Sequence, residues 1–164
     1  MGTNHLIVRL TRLILALLHV VYGAIVAGTV FPFISDDRKK ATVRAWSARL
    51  IAIFRIRLTV MGTPPNTRTG PSMMVANHVS WLDIFAINSV CPMRFIAKIE
   101  IRNWPVIGWL CAQADTIFMV RAKSHELRRV NKVISEALIS GDRIAVFPEG
   151  ETTFGDRIES FHAS

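Results

Sequence analysis

The sequence predicts an α/β domain with a largely parallel sheet flanked by helices, preceded by an N-terminal membrane helix and an amphipathic helix. Three observations carry this. Residues 73–76, 95–97, 116–120 and 144–147 are short apolar runs with the length of buried strands. They alternate with helical patterns at residues 81–89, 104–112 and 124–139, which implies crossover connections between parallel strands. Ahead of them, residues 13–34 form an uncharged run of 22 residues.

As a helix that run would be about 33 Å long, enough for a hydrocarbon core of about 30 Å. Arg9 and Arg12 precede it, and small residues lie near Ala24 and Gly28, as in a secretory signal. Its apolar core is too long for that class, so an uncleaved anchor is expected, either spanning the bilayer or dipping into one leaflet. His19 is expected near one end or against a neighbour. In the next segment Val43, Trp46, Leu50, Ile53 and Phe54 share an arc of about 100° at helical spacing, with Arg44, Arg49 and Arg55 outside it. This helix either packs on the domain core or lies in the membrane interface.

Residues 63–71, rich in Pro, Thr and Gly, mark a turn-rich boundary. The expected division is an anchor and basic amphipathic helix over 1–62 and an α/β domain over 63–164. The chain has 164 residues, 51% hydrophobic and 20% charged, with a mean hydropathy of +0.34. Disorder is excluded by that apolar content. Residues 1–62 carry nine basic and two acidic side chains, so nearly all of the net +8 lies there. A basic block beside an apolar one suits an anionic membrane surface. Residues 63–164 are almost neutral and lack a dense basic run interleaved with aromatics, which argues against nucleic acid. Five basic residues follow the apolar run closely and two precede it, placing the domain on the cytoplasmic side. Cys91 and Cys111 have no metal-ligand spacing and are expected to be buried free thiols in a reducing compartment.

Each strand candidate runs into a polar residue: His78, Lys98, Arg121 and Glu149 follow the four runs in turn. Ligands of α/β sheets bind at the carboxyl ends of the strands, so parallel pairing would gather these four side chains in one crevice. The sharpest local feature is Asn77-His78-Val79-Ser80-Trp81-Leu82-Asp83. Asp83 lies three residues after Ser80, as in a capping box, and five after His78. It can therefore complement a helix N-terminus, orient the imidazole, or do both. An oriented neutral imidazole accepts a proton from a hydroxyl near neutral pH. No Gly-x-Ser-x-Gly occurs, so the attacking group is expected to belong to the substrate. A hydrolase would have to recruit Cys111, in an apolar run.

These residues carry a family resemblance. The segment from Asn77 to Asp83 is similar to the Asn-His-x-Ser-x-x-Asp block of the lysophospholipid acyltransferases, whose best-known members are the 1-acyl-sn-glycerol-3-phosphate acyltransferases. Ala97-Lys98-Ile99-Glu100 with Trp104-Pro105-Val106-Ile107-Gly108 resembles the family's Lys-x-Glu and Pro-x-x-Gly stretch. Ile117 to Arg121 resembles the block ending in a substrate-binding Arg, and Phe147-Pro148-Glu149-Gly150 matches its Phe-Pro-Glu-Gly. Four blocks occur in order between Met73 and Gly155.

The resemblance implies a membrane-bound transferase that moves an acyl group from acyl-CoA or acyl-carrier protein to the hydroxyl of a lysophospholipid, above all 1-acylglycerol 3-phosphate. His78 would be the general base and Asp83 its orienter. Arg121, Lys98, Glu149 and Gly150 would bind the acceptor. No metal or prosthetic group is required by this mechanism. Read without the family pattern, Arg121 is a loop charge, Glu149 a turn residue, and Lys98 with Glu100 a surface pair. Trp104, Ile107, Trp109 and Leu110 are expected in the core, the alternative being an acyl-chain site. Two departures stand out. Glu151 occupies a place where the family shows a small hydroxyl residue, which points to a less acidic acceptor. The alternative to 1-acylglycerol 3-phosphate is the same chemistry on glycerol 3-phosphate, another lysophospholipid or a lyso-aminolipid. The family pattern also continues beyond the last residue here, so the sheet is expected to lack part of its C-terminal edge. The rival reading from another class is a non-catalytic lipid-binding relative.

Overall fold

A computed structural model describes residues 2–65, 70–120 and 124–161. The elements in chain order are α1 (Gly2–Thr29), α2 (Asp36–Ile53), β1 (Ser72–Val75), α3 (Leu82–Val90), β2 (Arg94–Lys98), α4 (Ile107–Gln113), β3 (Ile117–Met119), α5 (Ser124–Ile139) and β4 (Arg143–Val146). Short 3₁₀ turns at Phe31–Phe33 and Ile99–Asn103 complete the described elements.

The four strands form one parallel sheet in the order β1-β4-β2-β3. Its core follows from the two-residue period of a strand. Ala145 and Phe95 pack with Ile84 and Ile87 of α3 on one face, while their neighbours Ile144 and Ile96 pack with α5 on the other. Helix α5 supplies Val130, Val133, Ile134, Ala137 and Leu138, a stripe at i, i+3, i+4, i+7 and i+8. Both faces of the sheet's centre are therefore covered, and the strands need no polar alternation.

All four expected strands are present within a residue or so of their expected ends. One helix differs. Instead of a helix over 104–112, a 3₁₀ turn at Ile99–Asn103 leads to an extended Trp104, and α4 begins only at Ile107. Pro105 explains this, because its ring clashes with a helical conformation in the residue before it. Gly108 then packs so closely that an added Cβ would fall on the Arg102 carbonyl group and 2.6 Å from the Ile101 carbonyl oxygen. Backbone cannot yield there as a side-chain end would, so Gly108→Ala is expected to destabilise the fold by about 1–3 kcal/mol or more, read as a lowered thermal unfolding midpoint.

The apolar helix also differs from its expected bounds. It begins at Gly2, takes Arg9 and Arg12 into its first turns, and stops at Thr29, where Pro32 sits in the following 3₁₀ turn. It is long and apolar enough to cross a membrane, and almost none of it is buried against protein. Its attachment to α2 is local and polar. The His19 ring stacks on Trp46 at 4.6 Å, its Nε2 donates to the Trp46 carbonyl at 2.9 Å, and Trp46 Nε1 donates to the His19 carbonyl at 3.0 Å. Gly23 lies so near the indole that a Cβ would meet Trp46 Nε1 at 2.6 Å. His19 thus faces a neighbour from the middle of its helix.

Helix α2 is packed rather than free: it lies against α3 and buries Ser47, Leu50 and Ile51. The buried face extends from the expected arc to Ser47 and Ile51, while Trp46 lies between His19 of α1 and Phe85 of α3. Asp142, just before β4, ties α2 to the sheet through Lys40 at 2.7 Å and Arg94 at 3.1 Å. Burial pushes the Asp142 carboxyl up, but hydrogen bonds and positive charge from Lys40 and Arg94 outweigh it, and the group lies below the ordinary 3.8. A lowered folded-state value means stability present above the unfolded value and lost as pH falls through the folded one. Asp142→Asn is expected to cost about 1 kcal/mol near neutral pH, with the difference in urea midpoint closing as the pH drops below 3.8.

Trp104, Ile107 and Trp109, expected in the core, are exposed, and Leu110 is half-buried. Val106 and Ile107 instead border an apolar groove with Leu17, Val21 and Ile25 of α1. The expectation fails for Ile107 and Trp109 because they face α1, Trp109 beside Gly28, rather than the sheet. The turn-rich boundary lies partly outside the described residues, at 66–69.

Candidate active site

Parallel pairing brings the loops after β1 and β4 side by side at the carboxyl edge, with the end of β2 on the other flank of β4. The loop after β1 carries His78 and the turn into α3. Ser80 Oγ accepts the Leu82 N–H at 3.2 Å, and Asp83 Oδ2 accepts the N–H groups of Ser80 at 2.9 Å and Val79 at 2.8 Å. That is the reciprocal half of a capping box. The same Oδ2 lies 3.0 Å from His78 Nδ1. Both readings of Asp83 therefore hold at once, on one oxygen.

A carboxylate only accepts, so Nδ1 carries the proton and Nε2 presents a lone pair. The imidazole is stacked on Phe147 at 4.1 Å with 14° between the planes, which fixes the ring in its second rotational freedom. Nε2 has no hydrogen-bond partner among the described residues. The geometry is that of an oriented general base with its acceptor nitrogen free.

The loop after β4 arches over the same residue. The Phe147-Pro148-Glu149-Gly150 turn is closed by Gly150 N–H to the Phe147 carbonyl at 3.0 Å, and Gly150 has φ +71°, a conformation that favours glycine. Glu149 is buried at 4% exposure. Its Oε2 accepts the His78 N–H at 2.8 Å and its Oε1 the Glu159 N–H at 3.2 Å. Thr153 donates to the His78 carbonyl from both its N–H, at 2.8 Å, and its Oγ1, at 3.2 Å. His78 is thereby held at its backbone N–H and carbonyl by the five-residue stretch from Glu149 to Thr153.

The structure thus unites His78, Asp83, Glu149 and Gly150. Glu149 reaches the site as a clamp on the backbone, with both oxygens occupied. Lys98 stands at the end of β2, and its Nζ lies 3.5 Å from Glu151 Oε1, so its partner is Glu151 and not Glu100. Arg121 lies outside the described residues. Thr153 and Phe147 were not singled out from sequence. Phe147 was visible only as part of the Phe-Pro-Glu-Gly block, and Thr153 carried no local signal, since its hydroxyl matters through a contact 75 residues away. Cys111 is half-buried in α4; burial pushes its thiol up, with a Thr116 hydrogen bond pulling the other way. A thiol held protonated is a poor nucleophile, which argues against Cys111 in that role. Among the described residues no group of three or more His, Cys, Asp or Glu could hold a metal ion.

Comparison with known proteins bears on this arrangement. The chain is 39% identical over 124 residues to a lyso-ornithine lipid O-acyltransferase of Pseudomonas aeruginosa, covering 76% of this chain and 46% of that protein. It is 36% identical over 129 residues to a 1-acyl-sn-glycerol-3-phosphate acyltransferase of Neisseria meningitidis, covering 79% of this chain and 50% of that protein. It spans about half the length of these curated relatives. The crystal structure of a 1-acyl-sn-glycerophosphate acyltransferase from Thermotoga maritima superposes with a TM-score of 0.62 at 25% identity, covering 93% of this chain and 68% of that one. The family profile named Acyltransferase matches residues 57–164, and the chain belongs to that family.

Proposed function

We propose that this chain transfers an acyl group from a thioester donor, acyl-CoA or acyl-carrier protein, to the free hydroxyl of a lysolipid. The observation that carries the reading is the His78–Asp83 pair, with Nδ1 committed to the carboxylate at 3.0 Å and Nε2 free. Nε2 takes the hydroxyl proton as the oxygen attacks the thioester carbonyl. Asp83 stabilises the imidazolium that forms. The tetrahedral intermediate then collapses with cleavage of the C–S bond, and the departing sulfur recovers the proton from Nε2. Base, proton and leaving group balance without a metal or prosthetic group.

Two acceptors are in view. The motif resemblance favours 1-acylglycerol 3-phosphate, giving phosphatidate. A lyso-aminolipid is favoured by the Lys98–Glu151 pair, which sets a carboxylate beside a lysine expected to contact the acceptor, and by the relative named for lyso-ornithine lipid. Lys98, Arg121 and Gly150 would contact the acceptor, and Glu149 would hold the loop that receives it.

The site works beside a membrane on this reading. Helix α1 exposes Leu13, Ile14, Leu17, Leu18, Val21 and Ile25, and Trp109, beside Gly28, extends that apolar surface towards the domain. The His19–Trp46 clasp favours seating in one leaflet over a full crossing. A crossing would carry Arg44 and Arg49 of α2, flanking Trp46, towards the bilayer centre at about 2.5–3.5 kcal/mol each. In one leaflet those arginines meet anionic head groups, as suits the cytoplasmic face. Acyl transfer from labelled acyl-CoA or acyl-carrier protein to each lysolipid, by membranes carrying this chain, tests the function. Product with neither donor and neither acceptor would overturn it and leave the lipid-binding reading.

A further inference from the structure

Glu151 and Lys98 form a pair that stability does not explain. The Nζ–Oε1 distance is 3.5 Å, and the side chains are 39% and 74% exposed for Lys98 and Glu151. Such a loose, solvated pair contributes little to folding. Its position is more informative. Glu151 lies between Glu149, which holds the His78 N–H, and Thr153, which holds the His78 carbonyl. It stands on the segment that arches over the general base. Lys98 ends the strand next to β4, so the pair bridges the β4 loop to β2 at the carboxyl edge.

The pair presents one positive and one negative group side by side, on the loop that clamps the His78 backbone and on the end of β2. A phosphate monoester brought there would gain Lys98 but meet the like charge of Glu151, which opposes its binding and is screened by salt. A head group bearing an ammonium and a carboxylate is its complement. The ammonium would meet Glu151 and the carboxylate Lys98, each replacing the weak contact the two side chains make with one another. Glu151 is two residues beyond the buried clamp Glu149, so the side chain can change without loosening His78.

We propose that Glu151, acting with Lys98, selects the acceptor by charge, favouring a lysolipid with a zwitterionic amino-acid head group over one ending in a phosphate monoester. This rests on the acyl-transfer reading for its turnover arm. The test compares a lyso-ornithine lipid with 1-acylglycerol 3-phosphate, using the full chain in neutral phosphatidylcholine vesicles. Both kcat/KM for acyl transfer and equilibrium binding of the labelled lysolipids are measured. The parent chain is expected to prefer the zwitterion. Glu151→Gln is expected to move the preference by about tenfold or more towards the phosphate, an effect that shrinks in 1 M salt. Adding Lys98→Met should abolish the gain for phosphate, and neither change should move the thermal unfolding midpoint. A preference unmoved by Glu151→Gln in turnover and binding alike, or a parent chain that prefers the phosphate, overturns the proposal. A binding preference that moves as expected without turnover of either lipid upholds charge selection and overturns acyl transfer instead.

Discussion

His78→Ala is expected to lower acyl transfer by about 10²–10⁴-fold, the usual contribution of a positioned general base. The variant removes an imidazole nitrogen that has no hydrogen-bond partner among the described residues. It leaves the clamp on residue 78 intact, because Glu149 and Thr153 bind its backbone and not its ring. Folding should therefore survive, with a modest loss from the Phe147 stack. Asp83→Asn separates charge from geometry. One oxygen of Asp83 accepts three donors, so an amide oxygen in the same place can keep the loop closed. What disappears is the negative charge beside the imidazolium, and the fall in kcat should come with little change in unfolding midpoint. A variant at position 78 that retains parental turnover would remove His78 from the chemistry.

Glu149→Ala is expected to damage both fold and activity. Two backbone N–H groups, of His78 and Glu159, lose their acceptor in a site that is 4% exposed. Leaving each donor unsatisfied costs about 1–3 kcal/mol, so roughly 2–6 kcal/mol of stability is at stake. The surviving protein should also be slow, since a base displaced by about 1 Å can cost about 10²-fold. Glu149→Gln is the informative companion: its amide oxygen can accept one N–H while its NH₂ faces the other donor. It should fall between the parent and Glu149→Ala in both unfolding midpoint and kcat. A Gln variant with parental stability would mean that the two hydrogen bonds do not hold the loop.

The His78–Asp83 relation was legible because it is local. Five residues separate the two side chains, and the capping geometry that orients Asp83 is written in Ser80 and the helix start that follows. The α5 stripe was legible for the same reason, since its period appears within one segment. The misplaced helix start at Ile107 was a local signal left unread, because Pro105 already forbids helix through Trp104. The exposure of Trp104, Ile107 and Trp109 could not be read that way. Periodicity shows which residues share a face and not which surface that face meets.

By itself the sequence determined the strand and helix alternation, the apolar helix, the family, and the pairing of His78 with Asp83. Each is set by neighbours within a few turns of chain, where spacing and residue type suffice. Only the tertiary structure decided that β4 lies between β1 and β2. That order turns Glu149 and Thr153 into a clamp on His78, seats Phe147 under the imidazole, and brings Glu151 to Lys98. These contacts join residues some 50 to 75 positions apart. Strand order follows from how both faces of the sheet are best buried by α3 and α5, a property of the packed whole.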